Sequence, residues 1–164
     1  MKADVNYQKR KKDKIMLLKV KVIKTRPNAK IPTWGSTYAA GADLYACIDS
    51  MIPLEIKPQE TVMIPLGIKT EFSNGYAAML YARSGLASKK GLAPANKTGV
   101  VDSDYRGEWM IALHNHSHSV QYIEDGERIA QVVFHEIEHP EFEEVTELSE
   151  TERGDGGFGS TGTK

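Results

Sequence analysis

The sequence is poor in cysteine. Cys47 is its only one, so no disulfide can form within the chain. This excludes a disulfide-stapled scaffold and favours a reducing, cytoplasmic setting. Long apolar runs are also missing. Lysine or glutamate interrupts every apolar stretch well short of the roughly 18–20 residues that a membrane span requires. Nor is there an excess of charge: 21 Lys and Arg against 22 Asp and Glu leave a formal charge of −1. That balance argues against a protein whose main task is coating nucleic acid. Residues 1–14 have no apolar core ahead of a cleavage site, so a secretory signal is not expected there. The 164 residues fit one domain, and a chain of this size buries roughly two thirds of its unfolded surface without any staple.

Within these limits the chain divides into three parts. Residues 1–14 carry Lys2, Lys9, Arg10, Lys11, Lys12 and Lys14 against Asp4 and Asp13. They read as a disordered basic arm, with a nucleic-acid or localisation role as the alternative. Residues 15–148 read as one β domain. Leu18, Val20 and Val22 alternate with Lys19, Lys21 and Ile23, and the same period returns in Ile52–Leu54–Ile56 and Val62–Ile64–Leu66. Period two puts one apolar face on a half-buried strand. Tyr76–Tyr81, Glu108–His114 and Arg128–Phe134 read as strands richer in apolar residues. Turn signals separate these segments at Pro27-Asn28, Lys57-Pro58, Asn74-Gly75, Pro94-Ala95-Asn96 and Asp125-Gly126. Close-spaced short strands predict an all-β sandwich or barrel, with Ser84–Lys90 as its one short helix. Residues 149–164 form a glycine-rich tail that follows an acidic stretch, 136–150. Such composition resists regular structure, yet Arg153, Phe158, Ser160 and Thr161 are residues that grip an anionic, aromatic ligand.

Several clusters suit phosphate or water chemistry. Gly154-x-Gly156-x-x-Gly159 matches a dinucleotide fingerprint in letters only, because that motif needs a preceding strand and a following helix. What survives is backbone N–H free to approach phosphate, beside a guanidinium and hydroxyls. Arg83-Ser84-Gly85 opens the predicted helical turn with a planar cation, a hydroxyl and N–H donors; a structural arginine is the other explanation. Asn96–Glu108 reads as a β-hairpin with Asp102 and Asp104 at its end. An ionised aspartate can deprotonate a water, or simply cap a turn. His114, His116 and His118 alternate, which on a strand is a zinc-like set; in a loop they are surface residues. Cys47 has no base supplied by motif and reads as a small buried hydrophobe.

The order of these segments carries more than any one of them. Ala40-Gly-Ala-Asp-Leu-Tyr-Ala46, Arg83-Ser-Gly-Leu-Ala87, Gly99-Val-Val-Asp-Ser-Asp-Tyr-Arg-Gly107, Gly126-Glu-Arg-Ile-Ala-Gln131 and Arg153-Gly-Asp-Gly-Gly-Phe-Gly-Ser-Thr-Gly162 resemble, in order, the five motifs of the trimeric dUTP pyrophosphatases. The resemblance runs from about Leu18 to the C-terminus. It implies a jelly-roll-like β fold, a homotrimer whose active sites are each built from three chains, and Mg²⁺-dependent hydrolysis of dUTP to dUMP and pyrophosphate. By the same resemblance Asp102 activates the attacking water, Gln131 helps place that water and contacts phosphate, and Tyr105 packs on the deoxyribose. Asn96 and the backbone of Gly99, Val100 and Val101 match the part that pairs with uracil, with Met110 near the sugar. Arg83, Ser84 and Gly85 match phosphate contacts, and Asp43 matches a carboxylate linked to the metal through water. Arg153, Phe158, Gly159 and Ser160 match a mobile tail that closes over the nucleotide.

The implied chemistry is physically consistent with the residues. A hard divalent ion prefers phosphate oxygens and water to a full protein cage, and attack on phosphorus needs an aligned water, a base and charge neutralisation. Pairing uracil's edge with buried backbone groups would leave cytosine's groups unpaired, which discriminates strongly. A dCTP deaminase of the same fold and a non-catalytic nucleotide sensor are the competing readings. Neither a membrane nor specific nucleic-acid binding is expected.

Overall fold

A computed structural model describes residues 18–157. The basic arm, and Phe158, Gly159 and Ser160 of the tail, lie outside the described residues. Among the described residues twelve short strands and one helix follow in chain order: β1 (Lys21–Lys24), β2 (Thr33–Trp34), β3 (Ala42–Tyr45), β4 (Leu54–Ile56), β5 (Thr61–Pro65), β6 (Ile68–Glu71), β7 (Tyr76–Tyr81), α1 (Ser84–Lys90), β8 (Leu92–Pro94), β9 (Thr98–Val101), β10 (Met110–Asn115), β11 (Gln121–Ile123) and β12 (Arg128–Glu136). The class is all-β, as the sequence predicts. The largest sheet runs β2-β3-β12-β7-β9; β5-β10-β8 forms a second sheet, and β1-β6 and β11-β4 are antiparallel pairs.

The predicted alternation survives in three dimensions. Leu18, Val20 and Val22 pack against the core while Ile23 faces solvent. Ile64 and Leu66 are buried from the β5 segment, as is Ile56 from β4. Ile52 breaks the pattern and is exposed. Ser50 Oγ donates to Ile52 O and accepts from Ile52 N, both at 3.0 Å. That local side-chain turn turns Ile52 out before the strand starts. The hairpin reading of Asn96–Glu108 is also corrected. β9 pairs with β7, and β10 pairs with β5 and β8, so residues 102–109 link two sheets instead of closing one hairpin.

The helix forms where predicted and stops at Gly91, whose left-handed φ of 67° lets its N–H return to Ala87 O and Leu86 O. In the five-stranded sheet the inner face carries Leu44, Ala78, Leu80, Ala130 and Val132, all buried. The opposite face carries Asp43, Gln131 and Tyr81, which lie across from one another in register.

β12 contains one extra residue. Arg128 pairs with Tyr45 and Ala130 with the adjacent Leu44, so Ile129 is a bulge. Strict alternation would put Arg128 and Gln131 on opposite faces, because they are an odd number of residues apart. With the bulge, Ile129 and Ala130 both enter the core, and Arg128 emerges on the same face as Gln131.

Cys47 is fully buried and its thiol lies 3.2 Å from Asn28 Oδ1. Burial pushes the thiol pKa up, with Asp125 adding to the effect. Cys47 should therefore resist iodoacetamide in the native protein at pH 8 and react once the chain is unfolded in denaturant. Rapid labelling of the folded protein, followed by mass spectrometry, would contradict this placement.

Candidate active site

Two clefts collect most of the site residues singled out from the sequence, and they have no lining residue in common. The first, of about 540 Å³, lies at the end of the outer sheet face and against α1. Asp43, Arg83, Ser84, Gly85 and Gln131 line it, together with Lys89, Lys90, Glu127 and Arg128. Four basic side chains against two acidic ones make it an anion site in sign.

Its geometry follows from strand register. Asp43 on β3 faces Gln131 on β12, and Gln131 faces Tyr81 on β7. Arg83 lies two residues beyond Tyr81, hence on the same side of the chain. Arg83 Nε donates to Asp43 Oδ1 at 2.7 Å and Arg128 Nη1 to Asp43 Oδ2 at 3.1 Å. One largely buried carboxylate thus holds two guanidinium groups side by side, a charge-assisted arrangement that fixes their direction. Gln131 Nε2 donates to Ala82 O at 2.9 Å, just before Arg83. A Cβ on Gly41 would stand 2.8 Å from Gln131 Oε1, so glycine there leaves the amide its room. The first-turn N–H groups of α1, at Ser84 and Gly85, have no helical acceptor, and both residues are exposed.

The donor set also bears on a divalent ion. The two carboxylates of this cleft are each engaged already, Asp43 by the arginines and Glu127 by Lys90 Nζ at 2.8 Å. Among the described residues no three His, Cys, Asp or Glu side chains group to hold a metal. Such a site fits an ion that arrives on phosphate oxygens and keeps its waters, with Asp43 offering its remaining lone pairs to one of them. His114 and His116 stack edge-to-face at 4.4 Å and His114 Nδ1 lies 2.8 Å from Thr61 Oγ1. Burial, with His114 second, holds the pKa of His116 down.

The second cleft, of about 300 Å³, is lined by Asn96, Gly99, Val100, Val101, Asp102, Tyr105 and Met110, with Leu80, Glu108 and Trp109. A tight turn at its edge returns Thr98 N to Asn96 O at 2.7 Å, with Lys97 at a left-handed φ of 65°. The Asp102 carboxylate is exposed and has no hydrogen bond among the described residues. The turn there is closed by the backbone instead, Tyr105 N to Asp102 O at 3.2 Å. The carboxylate is therefore free to accept a proton from water. Tyr105 donates its hydroxyl to Glu108 O at 3.3 Å. Its ring crosses Gly107 so closely that a Cβ there would fall 2.1 Å from the hydroxyl oxygen.

Arg153 lines neither cleft; its Nε donates to Gly156 O at 2.8 Å within an exposed turn. Gly154 belongs to that turn, and no helix follows it among the described residues. Arg128, Lys89 and Lys90 were not singled out from the sequence. Arg128 stands within the Gly126–Gln131 segment, but period two places it on the wrong face unless the bulge is known.

The sequence model of the dUTPase family matches residues 27–162. The chain is 47% identical over 148 residues to the deoxyuridine 5'-triphosphate nucleotidohydrolase of Desulfitobacterium hafniense, covering 88% of this chain and 97% of that one. It is 45% identical over 147 residues to the enzyme of the same name from a Hydrogenobaculum species, covering 90% of this chain and all of the other. Among solved structures, the dUTPase of Staphylococcus bacteriophage 80alpha with dUPNHPP superposes with a TM-score of 0.79 at 29% identity, over 88% of this chain and 98% of that one. Matched along most of its length in sequence and in backbone, the chain belongs to the dUTPase family.

Proposed function

We propose that this protein hydrolyses dUTP to dUMP and pyrophosphate, with each active site assembled from the two clefts on different copies of the chain in a homotrimer. Water oxygen bonds to the α-phosphorus, the bond from that phosphorus to the bridging oxygen breaks, and pyrophosphate leaves. The observation that carries the reading is the separation of the clefts. A cationic, donor-rich cleft has no base free to activate water, because Asp43 and Glu127 are engaged. A free carboxylate and an aromatic ring stand in the other. Each supplies what the other lacks, and a second copy can bring them together.

Further support for assembly comes from residues 138–150, which are exposed throughout. Phe142 is 93% and Leu148 87% exposed there, an apolar display that a lone domain gains nothing from. The roles follow. Arg83, Ser84 and Gly85 take phosphate oxygens, Arg128 joins them, and Asp43 keeps both guanidiniums aimed. Asp102 accepts the proton of the attacking water, which Gln131 helps orient. Asn96 and the backbone of Gly99, Val100 and Val101 read the base, and Tyr105 and Met110 cover the sugar. Arg153, Phe158, Gly159 and Ser160 close over the nucleotide, which excludes water from the reaction. Mg²⁺, bound chiefly to substrate phosphates, would neutralise charge on the triphosphate. The single buried thiol supports a cytoplasmic setting.

Asp102→Asn should bind dUTP with little change yet lose turnover by about 10²–10⁴-fold; full activity would remove Asp102 as the base. Asp43→Asn should weaken pyrophosphate binding, measured by calorimetry, by about tenfold, as two guanidiniums lose their common partner. Unchanged affinity would make that pairing irrelevant to phosphate. Arg83→Ala and Asp102→Asn chains, each inactive, should recover about a quarter of wild-type activity when unfolded together in equal amounts and refolded, since each site draws its halves independently. No recovery would mean that one chain supplies both halves.

A further inference from the structure

Residues 102–109 cross from β9 in one sheet to β10 in another. Most hydrogen bonds inside this segment are local. Tyr105 N donates to Asp102 O, Arg106 Nη1 donates to Ser103 O at 2.7 Å, and the Tyr105 hydroxyl donates to Glu108 O. Such bonds shape the loop; among the described residues its backbone is anchored only at the far end, where Trp109 N donates to Ile68 O and Leu66 N donates to Trp109 O, both at 2.9 Å. Side-chain tethers to the rest of the chain are few. Ser103 Oγ meets Asn74 Oδ1 at 3.1 Å. The charged tether is Glu108, gripped from the end of β1: Arg26 Nε donates to Oε1 at 3.1 Å and Nη2 to Oε2 at 3.2 Å, and Thr25 Oγ1 donates to Oε1 as well. This is a bidentate, charge-assisted grip with a fixed direction. Its strength is reflected in Glu108 itself, whose carboxyl is held below its ordinary range by Arg26 first and Thr25 second.

Tyr105 depends on where Glu108 sits. Its hydroxyl rests on the Glu108 carbonyl and its ring covers Gly107. A shift of Glu108 therefore carries the ring with it. We propose that Arg26 and Glu108, with Thr25, are positioning residues that hold Tyr105 in the second cleft and so set how strictly the enzyme rejects ribonucleotides. This rests on the dUTP-hydrolysis reading, in which Tyr105 packs on the sugar. A ring that excludes a 2′-hydroxyl works by contact, and a displacement of about an ångström is enough to change such discrimination substantially.

The test is pyrophosphate release from dUTP and from UTP by the full chain and by Arg26→Ala, Glu108→Ala, the double variant, Arg26→Lys and Thr25→Val. The quantity read is the ratio of kcat/KM for the two nucleotides. Partial unfolding or loss of active sites lowers both rates together and cancels in that ratio. Arg26→Ala and Glu108→Ala should each lower the dUTP/UTP ratio about tenfold, with the double variant no worse than either, as expected for partners acting as a unit. Thr25→Val and Arg26→Lys, which disturb the fold least, should lower it about threefold and carry the test if the alanine variants do not fold. Wild-type ratios in the folded variants, or a wild-type enzyme indifferent to the sugar, would overturn the proposal. A wild-type chain that releases no pyrophosphate from dUTP would instead overturn the function on which it stands.

Discussion

The phosphate-suited cleft depends on one extra residue in a strand. β12 is the middle strand of its sheet, flanked by β3 and β7, so its side chains must alternate between core and surface. Ile129 interrupts that rule opposite the Tyr45–Leu44 pair. Two successive residues go inward, and Arg128 is turned out to meet the second oxygen of Asp43, beside Arg83. Removing the bulge would turn a guanidinium into the core, where an unpaired charge is untenable, and leave Asp43 with one partner. Local ladder geometry thus decides how many cations the cleft presents.

Asp43 shows why a carboxylate can belong to an anion site. Two guanidiniums near each other repel, and each is attached to a long side chain with many rotamers. A common carboxylate between them removes the repulsion and selects one conformation for both. The cleft keeps a cationic excess through Lys89 and through two arginines sharing one carboxylate, Lys90 being paired with Glu127, so attraction for phosphate survives the pairing. The second cleft follows the opposite logic. Among the described residues Asp102 is left without a partner and exposed, while the ring of Tyr105 is held by glycine at 107 and by the carbonyl of residue 108.

Much of this was legible before any coordinates. The apolar periodicity of Val62–Leu66 and Tyr76–Tyr81 reports burial of one sheet face, and burial is what selects those residues. Ser84–Lys90 ends at a glycine, and the helix stops there because only glycine adopts that backbone at low cost. The short strands were less legible. β2, β8 and β11 are two or three residues long, too few for any period to register. Ile52 misleads because its neighbour Ser50 captures its backbone, a local bond that outweighs the apolar side chain. The hairpin reading of 96–108 fails for a different reason. Turn residues mark where a chain reverses, but the partner of each strand is chosen by distant segments.

By itself the sequence determined the all-β class and the helix, which follow from local periodicity and turn chemistry, and, through the resemblance of its ordered motifs, singled out Asp43, Arg83 and Gln131 in one cleft and Asp102 and Tyr105 in the other. Only the tertiary structure decided which of those residues meet. It separated the motifs into two clefts, brought Arg128 to Asp43, and joined Arg26 to Glu108 across 82 positions of chain. Pairings of that kind carry no period and no fixed spacing. They exist because sheet register and a bulge bring remote side chains within hydrogen-bonding distance, and register is a property of the folded whole.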